Sequence, residues 1–201
     1  AFRPEHTRIA TRKGEVLGAL HLTTDTIRIG EARLKMGGLG WVATSARHRK
    51  RGIGRKLIED ALAYMREHGY HVSMLFGIPS FYHRFGYVSA LIDYTILMET
   101  TEARTFDNPF KSSIATPGEI PLLQKMHNAN DANSICSLIR TAAHLHNKWG
   151  RWNKWRMLKD EQGKAVAYLY AVVERGCLYV TEVGVSEAGV CAAVVQEAAR
   201  L

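Results

Sequence analysis

Residues 40–69 constrain the chain more than any other stretch. They run Gly-Trp-Val-Ala-Thr, then Ser-Ala-Arg-His-Arg-Lys-Arg-Gly-Ile-Gly-Arg-Lys, then an amphipathic segment that closes on Gly69. The first part reads as a short strand over residues 41–44 and the middle as a basic, glycine-containing loop. In the last part Ile53, Leu57, Ile58, Ala61, Leu62 and Met65 recur at helical spacing. Arg55, Lys56, Glu59, Asp60, Arg66 and Glu67 fill the other face. Gly69 suits the positive φ common just past a helix. Gly52 and Gly54 let the backbone approach a ligand closely, and the first free amides of the helix point into the loop. The helix dipole and Arg47, Arg49, Lys50, Arg51 and Arg55 then favour a phosphate at that spot.

A glycine pair beside arginines would by itself describe a solvated basic turn. The order strand, arginine loop, helix makes the reading sharper. No Gly-Lys-Ser/Thr follows, which excludes a Walker loop, and Gly-x-Gly-x-x-Gly is absent from the loop, which excludes a dinucleotide fingerprint.

The rest of the first hundred residues is rich in strand signals. Residues 7–10 and 15–22 read as a hairpin turning at Arg12-Lys13-Gly14. A second pair, 26–29 and 32–36, turns at Gly30-Glu31, and Gly37-Gly38 leads into the strand ending at Thr44. After the helix, the apolar run 72–77 reads as a parallel strand placed by a β–α–β crossover. Pro79 and Gly86 frame a short helix over 80–85, and 94–99 reads as a closing strand. Periodicity then stops, with Asn108-Pro109 as a turn. A further set follows: a strand near 113–115, a helix opening at Thr116-Pro117-Gly118-Glu119, a second helix over 132–143, strands at 156–159, 166–173 and 178–185, and a helix over 190–201. The aromatics Trp149, Trp152 and Trp155 read as packing.

Composition bounds the function. The 201 residues are 46% apolar and 23% charged, as in ordinary globular proteins, and no apolar run approaches the roughly 18 residues of a membrane span. Neither a signal peptide nor a membrane segment is read, so the expected location is cytoplasmic. The three cysteines, Cys136, Cys177 and Cys191, lack metal-ligand spacing and read as reduced. His144 and His146 fall on different faces of a helix, so no metal site is expected. The net charge is +8. Six of the 27 Lys and Arg residues lie between Arg47 and Lys56, where a phosphate-bearing ligand accounts for them, and nucleic acid is disfavoured as a partner.

Arg49-x-x-Gly52-x-Gly54 between a strand and an amphipathic helix resembles the acetyl-CoA signature of the GNAT N-acetyltransferases. With Gly-Gly-Leu-Gly-Trp-Val-Ala-Thr before the loop and Phe-Tyr-His-Arg-Phe-Gly-Tyr after the fifth strand, nearly the whole chain resembles the enhanced intracellular survival family. The resemblance implies a mixed-sheet α/β fold of two GNAT-like modules in tandem. The first, residues 1–100, would be the catalytic acetyl-CoA-binding domain without the strand and helices that open the family's module. Residues 101–111 would be a linker, and 112–201 a second, degenerate module, truncated, with Val185-Ser186-Glu187-Ala188-Gly189-Val190 in place of the arginine loop. The sequence accordingly reads as part of a longer protein.

Carried over position by position, the resemblance places Val42, Ala43 and Thr44 against the acetyl and pantetheine groups. It places Arg49, Lys50, Arg51, Gly52, Ile53, Gly54 and Arg55 around the pyrophosphate, with Gly77 and Ile78 on the other side. It makes Tyr82 the general acid and acetyl-CoA the cosubstrate, with an amine as acceptor. A lysine-like amine is only about one part in two thousand neutral at pH 7, so the acceptor needs desolvation or a base. A strand amide near residues 42–44 would stabilise the oxyanion if that strand splays from its neighbour. A phenol of pKa about 10 carries the proton that the departing thiolate needs. No cysteine lies in either motif, so direct attack in a ternary complex is expected. No general base is assigned: Glu99 and Glu102 are near in sequence only. A catalytically silent CoA-binding scaffold of the same fold is the alternative, an RNA-associated role is weaker, and a homo-oligomer stays open.

Overall fold

The computed structural model describes residues 4–78, 80–90, 95–132, 134–141 and 155–201. Two compact units form, one from Ala1–Ile92 with Ile135–Ile139 and the other from Asp93–Ser134 with Arg140–Leu201.

The first unit is a mixed five-stranded sheet with a helix on one face. Strand β1 (Thr7–Arg12) turns at Lys13-Gly14, both at positive φ, into β2 (Glu15–Ile29). β2 in turn pairs antiparallel with β3 (Ala32–Thr44). Such two-residue turns match the twist of the strands they join. The two hairpins expected over residues 7–36 are therefore three strands, two of them long. Gly37 and Gly38 lie within β3 rather than before it, because the helix needs the space: a Cβ at Gly37 would stand 2.2 Å from Met65 Sδ.

Helix α1 (Ile53–Glu67) crosses over to the parallel strand β4 (Val72–Met74). Leu57, Ile58, Ala61 and Met65 pack on Leu20, Leu22 and Leu39 of the sheet. Burial of each Leu or Ile contributes about 1.5–3 kcal/mol, which anchors the helix and thereby the loop that starts it. Gly18 serves the same contact, since a Cβ there would meet Ala43 O at 2.7 Å and Ile53 Cγ2 at 3.1 Å.

The expected helix over 132–143 is not what forms where the chain is described. Residues Cys136–Leu138 are a strand, β6, antiparallel to β2 with Ile27 opposite Leu138 and Ile29 opposite Cys136. β1 covers β2 only as far as His21, so the far end of β2 has a free edge. Gly30 N–H to Ile135 O and Ile139 N–H to Thr26 O, both 2.9 Å, extend the pairing. Residues 95–99 have no strand partner among the described residues, and Ile96 and Leu97 are exposed.

The second unit opens with the short helix α2 (Thr100–Ala103). Its sheet is antiparallel, in the order β5 (Lys111–Ile114), β7 (Trp155–Lys159), β8 (Ala165–Glu174), β9 (Cys177–Val185). Alternation sends Trp155, Met157 and Tyr168 to one face, against Ile120, Leu123 and Met126 of α3 (Ile120–Asp131). Leu158, Ala167 and Leu169 go to the other, against Val190, Ala193 and Val194 at α4 (Cys191–Ala198). The start read at Thr116 is a capping box, in which Glu119 Oε2 accepts from Thr116 N–H at 2.7 Å. Under α3, Glu182 accepts from Tyr168 and Arg140. His144, His146, Trp149, Trp152, Pro79 and Tyr94 lie outside the described residues.

Candidate active site

The cradle is built by the junction of β3 and α1. Residues Ala46–His48 make one 3-10 turn, Lys50 and Gly52 take positive φ of 60° and 78°, and the helix starts with Lys56 N–H bonded to Gly52 O at 3.0 Å. The amides of residues 52–55 consequently have no intrahelical partner. Gly52 is the N-cap, so no side chain caps this end either. Gly54 brings the helix start against the end of β3, where a Cβ would sit 3.6 Å from Thr44 Oγ1.

Arg49, Lys50, Arg51 and Arg55 are exposed around this end. Among the described residues none of them has an ion-pair partner. A run of like charges left uncompensated at a helix N-terminus whose amides are also free fits a bound polyanion such as a pyrophosphate. Among the described residues no group of three His, Cys, Asp or Glu side chains is placed to hold a metal ion.

Beside the cradle the sheet splits. β3 pairs with β4 only at Met36, Gly37 and Gly38, so among the described residues the β4-side edge of residues 39–44 has no strand partner. Val42, Ala43 and Thr44 lie on that open edge. Ser73 at the vertex donates its hydroxyl to Gly37 O at 3.0 Å, tying the strands where they part.

The chain beyond β4 carries Gly77, Ile78 and Tyr82. Tyr82–Phe85 is a 3-10 turn ended by Gly86 at φ 87°, the short helix expected there in tighter form. The Tyr82 ring lies on the Gly77 backbone, so close that a Cβ at Gly77 would be 2.2 Å from Cε2. Phe81 packs edge-on at 4.9 Å between centroids. Tyr87, 6.1 Å from Tyr82, is different in kind. Its hydroxyl lies 2.5 Å from Ser73 Oγ, and because Ser73 gives its own proton to Gly37, Tyr87 is the donor. Burial pushes the Tyr87 phenol above its usual range, the Ser73 hydrogen bond offsetting part of this and Tyr82 adding to it. The Tyr82 hydroxyl has no hydrogen-bond partner among the described residues.

Sequence reasoning missed what happens inside β3. Ala43 faces Ala19 and Gly40 faces His21, so Trp41 and Val42 together oppose Leu20, a β-bulge. Trp41 takes φ 51° there, and the residue is 78% exposed. Nothing in the local sequence announces a left-handed tryptophan; the paired register is needed to see it.

Residues 1–90 match the family model described as acetyltransferase (GNAT) domain. The chain is similar in fold to a protein from Enterococcus faecalis described as a probable N-acyltransferase, at TM-score 0.77 and 17% identity over 98% of this chain and 52% of that one. It is similar also to GCN5-related N-acetyltransferases from Kribbella flavida (TM-score 0.74, 15% identity, 96% and 50% covered) and Anabaena variabilis (0.73, 14%, 98% and 53%). At these identities the likeness is one of fold, and the chain spans about half the length of these structures. The comparison with curated proteins finds no match.

Proposed function

We propose that this chain is an acetyl-CoA-dependent N-acetyltransferase that acetylates a primary amine by direct attack in a ternary complex, and that its nearly full-length likeness to the larger structures reflects a tandem, enhanced-intracellular-survival-type architecture. The observation that carries the reading is the conjunction of the unpaired cradle cations and free helix amides with the open edge of β3 beside them.

In this reading Arg49, Lys50, Arg51 and Arg55, with the amides of Gly52, Ile53 and Gly54, hold the pyrophosphate. Val42, Ala43 and Thr44 offer backbone hydrogen bonds along the pantetheine arm, opposite Gly77 and Ile78. Acetyl-CoA supplies an activated acyl carbon. The acceptor nitrogen bonds to that carbon, the C–S bond breaks, and the amine's proton passes to solvent. A β3 amide freed by the split stabilises the oxyanion, and Tyr82 protonates the departing sulfur before solvent reprotonates it. Tyr87, bound to Ser73, positions the turn instead. The second unit has Glu187 where the first has arginines, so one CoA binds per chain.

The test is thiol release from acetyl-CoA against a panel of amines, with CoA affinity measured separately by calorimetry. Acetyl transfer abolished by Tyr82→Phe with CoA affinity kept supports the enzyme. CoA binding with no transfer to any amine returns the scaffold reading.

A further inference from the structure

The bulge in β3 leaves a feature that cofactor binding does not use. Leu20 and Leu22 point to the α1 side of the sheet, so His21 between them points to the other. His21 is buried, its Nδ1 is 3.1 Å from Thr7 Oγ1, and its ring lies 5.4 Å from that of Trp41 at an interplanar angle of 32°. Trp41 itself is turned outward by a left-handed backbone conformation that a bulky residue adopts only under strain. The fold thus holds a strained tryptophan, backed by a buried imidazole, with its outer surface free. Across the split, Phe76 is 92% and Ile78 70% exposed, while Leu75 between Met74 and Phe76 joins the α1-side core.

We infer that Trp41 is the acceptor platform, and that the acceptor is a monoamine whose body next to the nitrogen is flat and apolar, as in an arylalkylamine. This rests on the acetyltransferase reading. The ring is on the strand that would hold the acetyl group, one residue before Val42, on the sheet face away from the helix that makes the cradle. An acceptor stacked there reaches the open edge of β3 without crossing the pyrophosphate site.

Charge selects among amines. The loop that continues β3 carries Arg47, Arg49, Lys50 and Arg51. On the paired strands, Asp25 is opposite Met36 and Glu31 is at the distal turn, both far along the sheet from Trp41, and Glu15 lies 3.8 Å from His48. A polycation such as a polyamine meets repulsion from the loop, and among the described residues of β2 and β3 no acidic side chain stands opposite or beside Trp41 to offset it. A single ammonium, which loses its proton to react, does not carry that penalty, and its aromatic body gains the stacking that Trp41 offers.

The experiment compares 2-phenylethylamine, ethylamine and spermine as acceptors in the thiol-release assay, with CoA affinity measured by calorimetry on the same samples. The arylalkylamine is expected to have the highest kcat/KM. Trp41→Ala should raise its KM about 5- to 10-fold, the scale of one aromatic stacking contact, leave ethylamine within about twofold, and be rescued by Trp41→Phe. Trp41→Gly separates stacking from folding. Glycine accepts positive φ, so this variant should melt no lower than the parent yet show the same KM defect. Preference for spermine or ethylamine, no transfer to the arylalkylamine, or an unchanged KM in Trp41→Gly overturns the acceptor assignment while CoA binding stands. Absence of CoA binding overturns the cofactor reading itself, and the acceptor assignment with it.

Discussion

Gly77→Ala is a one-methyl test of the proposal that Tyr82 is the general acid. A Cβ at Gly77 would lie 2.2 Å from Tyr82 Cε2, 2.7 Å from Cδ2 and 2.8 Å from Leu75 Cδ1. Carbon contacts settle near 3.5 Å, so the ring must retreat by about 1.3 Å or the loop must move by as much. Overpacking of this kind costs about 1–3 kcal/mol of stability, within what a folded domain tolerates. Displacement of a catalytic group by about 1 Å lowers turnover about 10²-fold, so kcat should fall by that order. The assay is steady-state thiol release with saturating acetyl-CoA, paired with calorimetry for CoA. Because Gly77 acts in this account through the Tyr82 hydroxyl, Gly77→Ala combined with Tyr82→Phe should be no slower than Tyr82→Phe alone. Losses that multiply in the double variant would show that Gly77 acts on its own, through the pantetheine wall. A Tyr82→Phe variant with normal kcat would remove Tyr82 as the acid.

Replacing Arg49 and Arg51 together by alanine should weaken CoA binding tenfold or more, and the calorimetric titration of the parent should saturate at one CoA per chain. Glu119 is held below the usual carboxylate range: burial alone would raise it, but hydrogen bonds from Lys159 and from the Thr116 backbone and hydroxyl outweigh that. Its contribution is present above its unfolded pKa and is lost as pH falls through the lower folded value. Glu119→Gln should therefore lower Tm at pH 7, by an amount that shrinks as the pH falls below the unfolded pKa. Tyr168 is pushed far above its usual range, first by burial and then by Glu182. Its contribution holds below pH about 10 and fades as the unfolded chain begins to ionise, so Tyr168→Phe should flatten the alkaline fall in Tm.

What was legible in the sequence is what local chemistry encodes. Gly52 and Gly54 with their arginines, the apolar face of Leu57, Ile58, Ala61 and Met65, and the Thr116–Glu119 capping pair each signal within one or two turns of chain, and the corresponding elements form at those places. Features set by partners distant in sequence were not legible. Gly37 and Gly38 look like breakers until Met65 is seen to need the room. Residues 136–138 lie within the stretch 132–143 that reads as a helix, and they form a strand where β2 offers an edge. Trp41 has ordinary strand propensity, and its left-handed backbone follows from the register of β2 against β3. The role given to Tyr82 comes from the resemblance alone, and the Ser73 bond that sets Tyr87 apart from it depends on where β4 stops.

The pairing of β6 with β2 also sets a timetable for the growing chain. Ile27, Arg28 and Ile29 are synthesised early, but the strand that covers their edge is Cys136–Leu138, about 110 residues later. At ordinary translation rates that interval is about 6–22 s, far longer than a hairpin or a helix takes to form. For that time the nascent sheet presents an unpaired edge at Ile27 and Ile29, the kind of template on which strands of neighbouring chains add. A polypeptide ended near residue 100 would lack the strand that covers that edge among the described residues. The boundary that looks natural for isolating the first unit is therefore one that exposes it to edge-to-edge aggregation, whereas a chain carried past Ile139 brings its own cover.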